Sequence, residues 1–596
     1  MVRVAGYAPI ADYAAIGDGR TVALVAKDGA IDWLCLPNLD SPTVFAALLD
    51  VERGGSFSLQ PAIPFRVQRR YEPETNVLET TFTTGDGIVR VTDAMLLPAG
   101  GLVPFRELVR RIEWVAGRVP MRWRVEPRFN YGRHQASIRM HGGVPVAAFG
   151  SLAIGVCAWG AGRPYCELGR VCGQFELTEG QRALLVLTIA YQEPLIIPTP
   201  AEVEARLEAT RRFWRRWAAD RRYGGPWRDA VIRSALALKL LFHAPSGAIA
   251  AAATASLPEH LGGQRNWDYR FSWVRDAAFT LNALFNLGCV DEAESFFWWL
   301  LHASQLTHPK LSVLYRLDGG VHAPERTLPL AGYRGSRPVR VGNEARRQRQ
   351  LDVYGEFVQT AWLYRNAAGQ LDTDIAKRLA ETADLVCSIW REPDSGIWEV
   401  RNTLAHFTQS KMMCRVALDR AVVLAEDGCI PDRHVTRWRA EAAAIHDFVE
   451  RNCWSERLGS YTQSAGSQEL DASLLLGALM GYHDPRHPRM ASTIEVLRQE
   501  LGRGALLYRY TGDDGLSGRE GAFTCCSFWL SEALARGGRT DPAAELMEQL
   551  IGLANDVGLY AEEIHPESGE FLGNIPQALV HLALISAVTA IAKAEQ

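Results

Sequence analysis

The chain has 596 residues, of which 47% are hydrophobic and 22% charged. These are globular proportions, which exclude a disordered chain, and the length leaves room for more than one domain. Lys+Arg total 64 against 68 Asp+Glu, a formal net charge of -4, so there is no basic excess to neutralise a phosphate backbone and nucleic-acid binding is disfavoured.

The first 200 residues carry short alternating segments bounded by Gly, Pro and Asp. TVALVAKDGAIDWLCL splits at Lys27-Asp28-Gly29 and TNVLETTFTTGDGIVRVTDAM at Gly85-Asp86-Gly87, two hairpin patterns. MRWRVEPRF alternates and ALLVLTIAY reads as a buried strand, so the region is expected to form a β-sandwich over 1–205. EVEARLEATRRFWRRWAADRR, residues 202–222, predicts a linking helix with Phe213, Trp214 and Trp217 turned to one side, and the linker between the domains is drawn at 206–225.

From 226 to 596 the period is helical. Twelve helices are expected, near 226–243, 274–287, 290–304, 352–367, 374–391, 408–427, 434–451, 471–480, 489–502, 523–536, 540–554 and 575–593. Short and long connections alternate, the long ones being 244–273, 305–351, 392–407, 452–470, 503–522 and 555–574. In an up-down array all long loops fall at one end, which is where function concentrates. A closed ring of helix pairs and an open solenoid both satisfy this alternation.

The 11 cysteines form no Cys-x-x-Cys pair and read as free thiols of a reducing compartment. No secretory signal is read at the N-terminus, and the apolar stretch Ala578–Ala592, interrupted by His581 and Ser586, reads as a buried core helix. The expected location is cytoplasmic, with no membrane partner. None of the six lysines follows a Gly, so no phosphate loop is present, and the scattered histidines give no metal signature.

What remains are clusters of Trp, Arg and acid on the long loops. Arg265-Asn266-Trp267-Asp268-Tyr269-Arg270-Phe271-Ser272-Trp273-Val274-Arg275-Asp276 suits a sugar, whose apolar face stacks while its hydroxyls need fixed donors and acceptors. Helix capping and core packing explain the same composition equally well. Ser395-Gly396-Ile397-Trp398-Glu399-Val400-Arg401 and Leu559-Tyr560-Ala561-Glu562-Glu563-Ile564-His565 each put a carboxylate beside an aromatic. Two facing carboxylates are what glycoside hydrolysis requires, although a single loop Glu is more often merely solvated. Gly335–Asn343 leads to Gln350-Leu351-Asp352-Val353-Tyr354-Gly355-Glu356, where Asp352 either caps the helix or lines the pocket.

In order, NWDYRFSWVRDAAFTLNALFNLG, GSRPVRVGN…QLDVYGE, SGIWEVR…HFTQSKMMCRVALDRA, EGAFTCCSFWLSEAL and AEEIHPESGEFLGNIPQALVH resemble glycoside hydrolase family 15, the family of glucoamylases, glucodextranases and prokaryotic trehalases. IGDGRTVALVAKDGAIDWLCLPNLDSPTVFAALLD resembles the N-terminal domain of its prokaryotic members. The resemblance implies a β-sandwich followed by an (α/α)6 barrel and an inverting, exo-acting α-glucoside hydrolase that releases glucose. It assigns Glu399 as general acid and, by motif position, Glu562 rather than Glu563 as general base. Trp267, Asp268, Trp273, Arg275, Asp276, Trp398 and Glu563 are expected to bind substrate, with no metal in the site.

Trehalose is the leading substrate, and malto- or isomalto-oligosaccharides are the alternative. A catalytically dead carbohydrate-binding protein, a phosphorolytic enzyme and a helical interaction scaffold are the rivals. The chemistry needs no cofactor; a trehalase leaves phosphate and Mg2+ dependence open, and a homo-oligomer is compatible with the sequence. Asn38-Leu39, Asn130, Glu344–Arg347 and Arg415 depart from the family pattern, which puts substrate choice rather than the catalytic pair in doubt.

Overall fold

The computed structural model describes residues 3–97, 106–367, 369–401, 403–512, 518 and 520–595. The N-terminal region is two antiparallel eight-stranded sheets. One runs in the order Tyr13–Gly17, Val22–Ala26, Ala30–Cys35, Phe57–Pro61, Val119–Val125, Arg170–Leu177 and Tyr165–Glu167, with Thr43–Phe45 beside Ala30–Cys35. The other runs Ser137–His141, Val144–Phe149, Leu152–Trp159, Arg182–Tyr191, Glu107–Gly117, Gly87–Met95, Leu78–Thr84 and Phe65–Tyr71. Both hairpins expected from sequence are present, pairing Val22–Ala26 with Ala30–Cys35 and Leu78–Thr84 with Gly87–Met95. Val119–Val125 buries every second residue against the facing sheet, as its alternation demands.

The connecting helix runs Pro200–Ala219, starting two residues before the segment read as helical from sequence and six before the linker bound at 206. A capping box sets the start: the Thr199 hydroxyl accepts from the Glu202 amide while the Glu202 carboxylate accepts from the Thr199 amide at 2.7 Å. Trp214 and Trp217 are buried, but Phe213 is 43% exposed and does not share their packing.

Twelve helices follow among the described residues of the C-terminal region. Six form an inner ring: Ala277–Asn286, Asp352–Ala367, Thr408–Glu426, Leu475–Leu479, Thr524–Arg536 and Ala578–Ala594 each touch the next, and the last returns to the first. The ring is closed, an (α/α)6 barrel. Arg228–Leu241, Val290–Gln305, Thr373–Ile389, Val435–Asn452, Pro488–Glu500 and Thr540–Ile551 pack outside it. Inner helices are buried on nearly all sides, as in the fully buried stretches 408–414 and 524–535, because both the barrel axis and the outer layer are protein. The final helix belongs to this ring, and His581, wholly buried, faces Ser234 Oγ at 3.0 Å. Among the described residues no helix is long and apolar enough to cross a membrane.

Each inner helix is entered through one of the long loops. All six loops therefore gather at the N-terminal ends of the inner helices, where aligned backbone dipoles favour negative charge. The sandwich packs against this end. Trp33 Nε1 donates to the Ala253 carbonyl at 2.8 Å, and Asn555 Nδ2 donates to the carbonyls of Ala11 and Tyr13.

Candidate active site

Four of the long loops wall a narrow recess with about 640 Å³ of empty space, its open mouth included. Its lining includes Glu399 and Glu562, together with Glu259, Arg265, Trp267, Tyr269, Arg275, Trp398, Arg401 and Arg509. Burial grades along it. Glu562 and Arg275 are 1% and 6% exposed at the floor, whereas Trp267 is half-buried and Arg401 exposed at the rim.

Glu399 sits at φ 63°, a left-handed backbone that a non-glycine residue adopts only where its surroundings hold it. Gln348 Nε2 holds the Glu399 carbonyl at 3.0 Å. Gly396, at φ 66°, turns the loop where any Cβ would lie 2.8 Å from the Phe407 ring. The Glu399 carboxylate accepts from Trp273 Nε1 at 2.7 Å, with Arg275 Nη1 at 3.6 Å. Burial pushes its pKa above the ordinary carboxyl range, against the pull of Arg275 and Trp273.

Glu562 and Glu563 stand side by side where a short strand begins, and their side chains point opposite ways, as successive strand residues must. Glu562 faces the recess. Glu563 turns behind it to the Gly521 amide at 2.9 Å and to Arg509 at 3.3 Å, and is not part of the cavity wall. Gly573, at φ 70°, backs Glu562; a Cβ there would come within 2.5 Å of its Oε2. Burial and the neighbouring Glu259 push Glu562 well up, while Arg509, the Asn574 amide and Tyr269 pull it down. Glu259 itself is pushed up to about 7, by burial first.

The remaining residues singled out from sequence divide by role. Trp398 and Arg275 line the recess. Trp398 is held by Asp471, which accepts from its indole at 2.8 Å. Trp273 and Asp276 stand behind the wall and orient others: Trp273 bonds Glu399, and Asp276 accepts from Arg275 Nε at 2.8 Å. Asp268, expected to bind substrate, is fully buried away from the cavity and pairs with Arg270 through both oxygens at 2.8 and 2.7 Å. Arg270 then reaches the Tyr131 hydroxyl and the Ser41 carbonyl, so Asp268 fastens the sandwich to the barrel. Asp352 is fully buried within the barrel, its carboxyl pushed up to about 7 by burial and Asp394.

Sequence reasoning passed over Tyr269, Arg265, Glu259, Glu520 and Arg509. Tyr269 and Arg265 lie within the aromatic cluster and were within its reach. Arg509 and Glu259 stand in no recognisable pattern, and Glu520 lies 11 residues beyond Arg509 on the same loop. Arg509 is the buried centre of a knot: Nε donates to Glu520 at 2.7 Å, Nη2 to Glu259 at 3.0 Å, and Glu563 lies beside it. Two groups among the described residues have metal-ligand spacing, Glu259/Glu520/Glu563 and His446/Glu450/His483. Arginines already hold both: Arg509 the first, Arg415 and Arg489 the second.

A closed helical barrel with a blind recess, one carboxyl at its wall and another at its floor, both beside aromatics, defines a glycoside hydrolase. Residues 225–589 match the model of Glycosyl hydrolases family 15, and residues 4–150 match the trehalase-like N-terminal domain. The chain is 37% identical to a trehalase of Mycobacterium tuberculosis, over 99% of its own length and 90% of the relative's. It is 35% identical to a trehalase of Thermoplasma volcanium, over 98% and 94%. A bacterial glucoamylase solved in complex with acarbose superposes with a TM-score of 0.72 at 13% identity, covering 98% of this chain and 94% of that one, which shows the shared fold. The chain belongs to glycoside hydrolase family 15.

Proposed function

We propose that the protein is an inverting, exo-acting trehalase. The observation that carries this reading is similarity to trehalases along the whole chain, sandwich included, rather than over the barrel alone.

One of the two equivalent glucosyl units of trehalose enters first and lies at the floor, against Arg275. Glu399 is the general acid. A raised pKa keeps its proton available, and that proton passes to the glycosidic oxygen as the C1–O bond breaks. Glu562 is the general base. It takes a proton from a water that attacks C1 from the opposite face, so the hydroxyl bonded to C1 ends in the β configuration. One water is consumed and two glucose molecules leave. Glu562 must be ionised to do this. Arg509, the Asn574 amide and the Tyr269 hydroxyl favour its charged form, against the burial and the neighbouring Glu259 that raise its pKa.

The sandwich domain is drawn at 1–205 and the catalytic domain at 226–596, with the connecting helix Pro200–Ala219 opening just inside the first of these bounds. Two carboxylates and a water complete the reaction without a cofactor. Dependence on phosphate or Mg2+ is read by assaying the enzyme after EDTA dialysis into phosphate-free buffer. The free cysteines support a cytoplasmic location.

The test is proton NMR of trehalose hydrolysis, observing the anomeric signals early. Equal initial α- and β-glucose is expected, one half inverted and the other released unchanged. α-Glucose alone would overturn inversion. β-Glucose from maltotriose with trehalose untouched would overturn the choice of substrate in favour of a malto-oligosaccharide.

A further inference from the structure

The rim of the recess carries an assembly that the hydrolytic step does not use. Arg340 and Arg401 both lie over the Trp267 indole, at 4.5 and 4.1 Å from the ring centroid. Glu325 joins the two guanidiniums. It accepts from Arg401 at 2.8 and 3.3 Å and lies 3.2 Å from Arg340 Nε. Arg340 also donates to the Gln264 and Asn266 carbonyls, both just before Trp267 in the chain, which holds its plane against the indole. Three long loops supply these four residues, and no short-range pattern links them.

The sequence suggests Trp267 as a stacking surface for sugar. Protein cations already occupy that indole. Besides Trp267, the member of this assembly that lines the recess is Arg401, two residues beyond Glu399, and it acts electrostatically on the Glu399 carboxyl. The general acid stands where the glucosyl unit meets its leaving group. Given the burial gradient, the leaving sugar lies on the rim side of Glu399, beside Arg401. A guanidinium offers several N–H donors in a fixed plane, which suits neighbouring sugar hydroxyls. Left mobile, it would lose side-chain entropy on every binding event; held in place beforehand, it does not.

We infer that Arg401 binds the leaving glucose of the substrate, and that Glu325, Arg340 and Trp267 are positioning residues that hold it for a disaccharide. This inference rests on the hydrolase reading above. It is tested with two substrates, trehalose and α-D-glucosyl fluoride; the fluoride has the same glucosyl unit but no leaving sugar and little need of an acid.

Arg401→Met is expected to lower kcat/KM for trehalose about tenfold or more and to leave the fluoride within about twofold, since an interaction made only with the leaving sugar is absent from the second reaction. Glu325→Gln, which keeps Arg401 but frees it, is expected to raise KM for trehalose about fivefold with kcat little changed. The fluoride reaction also reports that each variant is folded. Parallel loss on both substrates, or no change on either, would overturn the inference. A wild-type enzyme that cleaves the fluoride and not trehalose would instead overturn the choice of trehalose; the same ratio with maltose in its place then judges Arg401 independently.

Discussion

The sandwich and the barrel both bury charge, but they balance it differently. In the sandwich Arg110 and Asp93 are both fully buried and meet one to one, at 2.8 and 3.1 Å, with the Gly29 carbonyl taking a further Arg110 N–H. At the mouth of the barrel Glu259, Glu520, Glu562 and Glu563 are all buried, with Arg509 and Arg265 as the cations among them. Paired charge such as Arg110 with Asp93 in the sandwich fixes a fold and can be exchanged for apolar packing at little cost. Surplus acid in a low-dielectric site shifts proton affinities and is what acid–base chemistry needs. The inner-helix N-termini that converge on this end offset part of the surplus.

The contrast is sharpest for Glu399→Gln. Activity is expected to fall by about 10²–10⁴-fold, while the melting temperature stays level, because the amide keeps the size of the side chain and an oxygen that can accept from Trp273 Nε1. A variant with near wild-type turnover would remove Glu399 from the acid role. Within the adjacent pair, Glu562→Gln should cost a similar factor and Glu563→Gln clearly less, since Glu563 is turned to Arg509 and away from the recess. The reverse order in steady-state rates would move the base to Glu563.

In the sandwich the expectation inverts. Asp93→Ala leaves Arg110 buried without its partner and should destabilise by about 3–5 kcal/mol, seen in denaturant melts, with kcat of the surviving folded enzyme unchanged. Replacing both, Asp93→Leu with Arg110→Met, should recover most of that loss. A smaller effect is expected from Trp273→Phe. The Trp273 N–H stabilises ionised Glu399, so its removal raises that pKa further. Because the acid works protonated and activity fades as pH rises through its pKa, the alkaline limb of the kcat profile should move up by about one pH unit. An unmoved limb would mean that another group sets it.

Local pattern was enough for two hairpins, two further strands, the twelve helices and the side on which the long loops lie, because periodicity, turns and caps act over a few residues. Thr199 and Glu202 illustrate the limit of that reading: their capping box starts the connecting helix at Pro200, two residues before the helical pattern that begins at Glu202. Carboxylates beside aromatics were also visible, which is why Glu399 and Glu562 stood out. The rest came from long-range packing. Closure of the inner helices depends on the last meeting the first, across about 300 residues. Asp268 and Asp276 look alike in sequence, yet one pins the sandwich through Arg270 and the other aims Arg275 into the recess. Arg509 gathers Glu259 from 250 residues away. Such contacts follow from packing surfaces that a chain acquires only when folded, and a local pattern carries no record of them.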